Sequence, residues 1–382
     1  MEEADGPALS DAAARSDRTE VPPRVAFFIS PHGYGHAARS SAVMAALNMV
    51  TGAEFELYTT VPRWFFDESI EGLFRYHDVA CDVGFVQPSA LNYNLQGTVQ
   101  ALHDLLPFDP DLIDGLVARV LEAGCSAVVC DIAPLGIAVA ERAGLPSVLI
   151  ESFSWQWLYE PLHVRAPELE RFSAELDRWW SKATVHIQTE PLCWRDTAVE
   201  TLVDPISRTP RLERQQIRTQ LDIPLDAQVV VITMGGYSEG MPFLKRLRAM
   251  SDVTFMVTGA PETARDGNLR LFASQAAIFM PDLLRAADAL VAKLGYGIIA
   301  EAWREGLPYA FVSRHGFREM PPLEAFVQSE LLGFEIGPED FADGGWIDRA
   351  PELLSLPRHP REGGGAEDVA GVIAPLLAVG PR

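Results

Sequence analysis

Basic residues are scarce in this chain, and lysine is almost missing. Of 382 residues, 31 are Lys or Arg against 53 Asp or Glu, and three are lysines, for a formal net charge of −22. Nucleic acids and anionic membranes need a basic footprint, so both are excluded as partners. An anionic small molecule still fits if a few arginines and helix N-termini build a locally positive pocket. Cysteine is sparse too. Cys81, Cys125, Cys130 and Cys193 show neither CxxC nor metal-ligand spacing, which predicts a reduced, cytoplasmic protein without a metal site. No stretch reaches the roughly 18 uninterrupted apolar residues of a membrane span. Residues 1–22 are acidic, lack the basic and apolar regions of a signal peptide, and read as a disordered tail. Abundant Arg and Ala beside so little Lys point to a GC-rich bacterial genome.

What is present is ordinary globular material, 48% hydrophobic and 22% charged. Its length exceeds a single core and predicts two domains. Apolar strand-like runs at Val25–Ser30, Glu54–Thr59, Ala127–Asp131 and Ser147–Glu151 alternate with helical stretches at His36–Met49, Asp109–Ala123 and Leu135–Ala143. That rhythm marks βαβ units around a parallel sheet. The pattern breaks at Asp204-Pro205, Thr209-Pro210 and Ile223-Pro224, which bracket a polar helix, Arg211–Gln220. Strands resume at Gln228–Met234, Thr254–Thr258, Ala277–Met280, Ala289–Ala292 and Tyr309–Ser313. Helices fall between them at Pro242–Met250, Asp282–Ala287 and Ile298–Glu305. The reading is α/β: two doubly wound domains, 23–203 and 227–360, joined by a linker at 204–226, with a C-terminal turn and helix at 361–382. A ligand belongs in the cleft between them.

Ser30-Pro31-His32-Gly33-Tyr34-Gly35-His36 follows the first strand and opens a helix. Such a turn lets backbone N–H groups reach an anionic ligand, and it sets His36 beside them as a candidate general base. The plain alternative is a histidine that only packs. Asp131 ends a parallel strand, where it either orients His36 or caps the next helix. Arg39, one turn beyond His36, faces either the same cleft or solvent. Two further strand-to-helix turns carry glycine: Gly235-Gly236, and Lys293-Leu294-Gly295-Tyr296-Gly297. Glu301, on the helix after the last of these, can accept two hydrogen bonds from a ribose diol or merely offset the helix dipole. Phe153, Trp155, Trp157 and Tyr159 form an aromatic cluster suited to a sugar or flat acceptor, or to the core.

Three segments carry a resemblance: PHGYGHAAR at 31–39, ESFSWQWLY at 151–159, and VAKLGYGIIAEAWREGLPYAFVSRHGFREMPPLEAF at 291–326. With the glycine pair at 235–236, they resemble GT-B glycosyltransferases, which have two Rossmann-like domains. The likeness is nearest to the MurG-like group and to the glycosyltransferase-like N-terminal region of L-arabinokinases. It implies an acceptor in the first domain, near His32, Tyr34, Trp155 and Trp157, with His36 as base. It implies a nucleotide-sugar donor in the second domain. The base would lie against Phe279–Leu283, including Met280, and the ribose at Glu301. The diphosphate would lie at Gly235, Gly236, Lys293 and Gly295–Ile298, including Gly297, and the sugar near Arg318 and Glu319. Many members carry an Asp/Glu-Gln pair where this chain has Arg318-Glu319-Met320.

The expected activity is metal-independent transfer from a nucleoside diphosphate sugar, UDP-linked, to a small-molecule acceptor, with no other cofactor. Two alternatives stand beside it: an epimerase or hydrolase on the same fold, and a non-catalytic nucleotide-sugar-binding protein.

Overall fold

The computed structural model describes residues 22–70, 72, 74–88, 92–235, 242–273, 278–314 and 316–377. The first domain is built on β1 (Arg24–Ile29), β2 (Glu54–Thr59), β3 (Phe74–Asp78), β4 (Cys125–Asp131), β5 (Ser147–Glu151), β6 (Val185–Thr189) and β7 (Thr201–Val203). They form one parallel sheet in the order β3-β2-β1-β4-β5-β6-β7. Its central strands read RVAFFI and CSAVVCD, the continuous apolar runs of strands covered on both faces. The cover comes from α1 (Tyr34–Thr51), α2 (Arg63–Ser69), α3 (Leu95–Leu105), α4 (Pro110–Glu122), α5 (Pro134–Ala143), α6 (Trp155–Tyr159) and α7 (Glu168–Trp180). One core holds Phe28, Val128 and Leu149, the other Phe27, Val129 and Val43.

The second domain repeats the plan with β8 (Gln228–Thr233), β9 (Val253–Ala260), β10 (Ala264–Asp266), β11 (Leu269–Ala273), β12 (Ala289–Lys293), β13 (Tyr309–Val312) and β14 (Gly333–Ile336). The order is β10-β11-β9-β8-β12-β13-β14, parallel except for the edge pair β10-β11. Its helices are α8 (Arg214–Gln220), α9 (Leu244–Ala249), α10 (Met280–Ala286), α11 (Tyr296–Glu305), α12 (Met320–Glu330), α13 (Pro338–Asp343) and α14 (Ala350–Leu354). The last helix, α15 (Gly365–Leu377), crosses back to the first domain. There Val369 and Ile373 enter the core beside Val43 and Leu47. Among the described residues no helix is long and apolar enough to cross a membrane.

Two expectations need correction. No strand covers Ile278 and Phe279, and Met280 opens α10 (Ala277 lies outside the described residues). Pro281 in the first helical turn, with φ already set for a helix, explains the difference. The helix expected in the linker, α8, is instead fastened to the second domain. Buried Arg218 donates to the carbonyls of Ala286, Leu225 and Ala227 and to Asp288.

Sheet topology fixes where a ligand can sit. Strand order reverses between β1 and β4 in one domain, and between β8 and β12 in the other. Crevices open at the carboxyl ends of strands at such reversals. His36, Asp131, Gly235 and Lys293 all lie at these ends.

Candidate active site

The two crevices share one cavity of about 270 Å³. The N-terminal ends of α1 and α11 meet inside it, where a Cβ on Gly297 would stand 3.1 Å from the Gly35 Cα. Neither helix has a side-chain N-cap or an acidic residue in its first turn. By contrast, α4 has both Asp109 as cap and Asp111 behind it. The positive ends of α1 and α11 therefore face the cavity with N–H groups to offer.

On the first-domain side, the Asp131 carboxylate collects four contacts. His36 Nδ1 lies 2.8 Å from Oδ1, and Arg39 donates from Nε to Oδ2 at 2.8 Å and from Nη2 to Oδ1 at 2.6 Å. Ser40 adds a bond from Oγ to Oδ2 at 3.0 Å. Burial pushes this carboxyl up, but Arg39 and His36 outweigh burial and hold it at about 2. In a neutral ring whose Nδ1 donates to the carboxylate, Nε2 carries the free lone pair, and no described residue bonds to Nε2. Ile132, the next residue, is a β-branched side chain at φ 56, a strained backbone of the kind found where a side chain must be aimed.

His32 behaves differently. Its Nδ1 accepts the Phe85 N–H at 3.2 Å. Burial, with His36, Arg314 and Lys293 nearby, lowers its pKa to about 3. It is a neutral ring with the proton on Nε2, so it offers the cavity a donor. Gly84, at φ +63, makes room for it: a Cβ there would stand 2.7 Å from the ring.

On the second-domain side, the Lys293 chain runs over Gly235, where a Cβ would meet its Cε at 2.8 Å. Arg314 pairs with Glu319, both buried and both on the cavity wall. Glu301 Oε1 accepts from Arg208 Nε at 2.8 Å. Burial raises the Glu301 carboxyl against the pull of Arg208. Ile278, Met280 and Leu283 make one end of the cavity apolar. Among the described residues no group of three His, Cys, Asp or Glu could hold a metal ion.

Of the residues singled out in the sequence, the cavity wall brings together His32, Tyr34, His36, Gly235, Met280, Lys293, Gly295, Gly297, Glu301 and Glu319. Gly236 lies outside the described residues. Three others are placed elsewhere. Trp155 is fully buried and donates its indole N–H to Asp82 at 3.0 Å, so it is core rather than acceptor wall. Trp157 carries the Arg318 guanidinium 4.4 Å above its ring. Arg318 in turn bonds the Trp157 carbonyl and Glu160. That makes it a tie between domains, off the cavity wall.

A family model described as glycosyl transferase family 1 matches residues 24–319. The chain belongs to glycosyl transferase family 1. It is also 26% identical over 360 residues to an L-arabinokinase of Arabidopsis thaliana, covering 93% of this chain and 34% of that protein. The chain thus spans about a third of the length of this relative. Among solved structures, a UDP-glucosyltransferase of Polygonum tinctorium aligns at TM-score 0.62 and 15% identity, over 94% of this chain and all of that one. The glycosyltransferase SnogD of Streptomyces nogalater aligns at TM-score 0.55 and 17% identity, over 94% and 96%. The fold is GT-B. A MurG-like specificity is not among these findings.

Sequence reasoning missed several wall residues of this family member. Glu68, Gln87, Glu190 and Arg208 line the cavity from loops, chain connections and the end of α2. None of them sits in a glycine turn or a periodic pattern. The one signal for Arg208 was its place between Pro205 and Pro210, which marks an ordered connection.

Proposed function

We propose that this chain transfers a sugar from a nucleoside diphosphate sugar, UDP-linked, to a hydroxyl or amine of a small acceptor. One observation carries the reading: two uncapped helix N-termini meet at Gly35 and Gly297, beside a His36–Asp131 pair 2.8 Å apart. His36 Nε2 removes the acceptor proton, and the Asp131 carboxylate holds the ring and stabilises its protonated form. Charge developing on the leaving diphosphate is met by the N–H groups at Gly295–Gly297 and at Gly235–Gly236, with Lys293 and Arg314. These groups act in place of a divalent metal. Glu301 takes the ribose, Met280 the base side and Glu319 the sugar, while His32 and Tyr34 border the acceptor. The Polygonum tinctorium protein, described as a UDP-glucosyltransferase, supports the donor class. Cytoplasmic residence belongs to the same reading and is supported by four unpaired cysteines.

The test is nucleoside diphosphate release from a panel of UDP-sugars, with and without a library of hydroxyl and amine acceptors. Release should depend on an acceptor. His36→Ala should lower it by about 10²–10⁴-fold while donor binding persists. Acceptor-independent release would point to a hydrolase, and a near wild-type rate in His36→Ala would remove that base.

A further inference from the structure

The connection between the domains reaches into the cavity. Arg208 lies there, buried, with its guanidinium between the rings of Phe65 of the first domain and Phe279 of the second, 4.9 and 5.0 Å from their centroids. Its Nε donates to Glu301 Oε1 at 2.8 Å and its Nη1 to Ser69 Oγ at 2.8 Å. Among the described residues Nη2 has no hydrogen-bond partner. Next to Ser69, at the end of α2, Glu68 also lines the cavity, and its Oε1 is buried without a partner. Burial raises the Glu68 carboxyl, which Arg208 and Arg211 oppose and Glu301 reinforces. Glu68 and Glu301 therefore approach one spot from different domains.

This arrangement shares Glu301 with Arg208. The guanidinium takes one lone pair of Oε1 and leaves Oε2 and the other Oε1 lone pair to a ligand. Glu68 offers a second acceptor beside it, and its buried, unbonded Oε1 is costly unless a ligand satisfies it. Two carboxylates and one guanidinium N–H match a vicinal diol, whose hydroxyls each donate one hydrogen bond and accept others. A cation is a poorer fit, because Arg208 and Arg211 already supply positive charge. The apolar end at Ile278, Met280 and Leu283 leaves a face for the attached base.

Resting on the donor reading above, we infer that the ribose diol is gripped from three parts of the chain: Glu301, Arg208 of the connection and Glu68 of the first domain. The grip makes the protein selective for ribonucleoside diphosphates, and it draws the first domain into nucleotide binding.

Calorimetry tests this with UDP, GDP, CDP and ADP, each against its 2′,3′-dideoxy counterpart. For the nucleotide that binds, wild type should prefer the ribo form by about tenfold or more, the worth of one or two charge-assisted hydrogen bonds. Glu68→Ala should weaken the ribo form by about tenfold and leave the dideoxy form within about twofold. Equal binding of both forms by wild type overturns the inference and needs no variant. Equal weakening of both forms by a Glu68→Ala protein with an unaltered melting temperature also overturns it, as does no change. If ribonucleotides bind and Glu301→Ala alone weakens them, only this inference fails. If wild type binds none of them, the donor reading fails with it.

Discussion

Asp82 and Asp131 show how burial and partners divide two carboxylates of one domain. Both are buried. Asp131 has a guanidinium against it and stays ionised, held at about 2. Asp82 has only neutral donors such as the Trp155 indole, and burial lifts it from the ordinary 3.8 to about 7. The sign of the stability effect follows. Below about pH 4 the group is protonated in both folded and unfolded chains and costs nothing. Between about pH 4 and about pH 7 the unfolded carboxyl ionises while the folded one keeps its proton, so stability falls as pH rises. Above about pH 7 the loss is complete. Asp82→Asn removes the titration and keeps an acceptor for Trp155. Urea midpoints across this range should decline more steeply for wild type than for the variant. Parallel curves would show that Asp82 is ionised throughout.

Elements near the cleft depend on glycine where helix ends touch. Gly297→Ala would push a Cβ against the Gly35 backbone at 3.1 Å. Overpacking of this kind costs about 1–3 kcal/mol, and here it also parts the two helix ends proposed to face a diphosphate. Thermal and chemical unfolding should report the first effect and nucleotide titration the second. Unchanged nucleotide affinity would mean the contact is only packing. Both turns were legible in the sequence, because a strand, a glycine pair and a helix leave a local pattern. So were the two sheets, from runs such as VAFFI and ALVAK. The edge strand β3, FRYHD, and the inner strand β6, VHIQT, were not, because polar residues interrupt them and only pairing in the sheet makes them strands. The tryptophans stayed open between core and acceptor for a related reason. Composition cannot say whether an indole faces a ligand or hands its N–H to a buried Asp82. Arg208 and Glu68 were out of reach too, since their roles arise from a contact between segments 139 residues apart.

At the scale of the molecule, the domains are tied on both flanks of the cleft. On one side Phe317 packs edge-on against Tyr93 at 5.2 Å, and Arg318 lies over Trp157. On the other, Arg208 bonds to Ser69 and Glu301, and α15 returns to the first domain. A ligand between the ties therefore touches both domains, and its binding should stabilise the whole chain as one body. The most direct check is calorimetric titration of wild type, Glu301→Ala and His36→Ala with UDP, GDP, dTDP, CDP and ADP. The account predicts saturable binding of UDP above the others. Glu301→Ala should weaken it by about 1–3 kcal/mol, and His36→Ala should leave it unchanged. Absence of binding by every nucleotide, or binding indifferent to Glu301→Ala, would contradict the assignment of this cleft to a nucleotide-sugar donor.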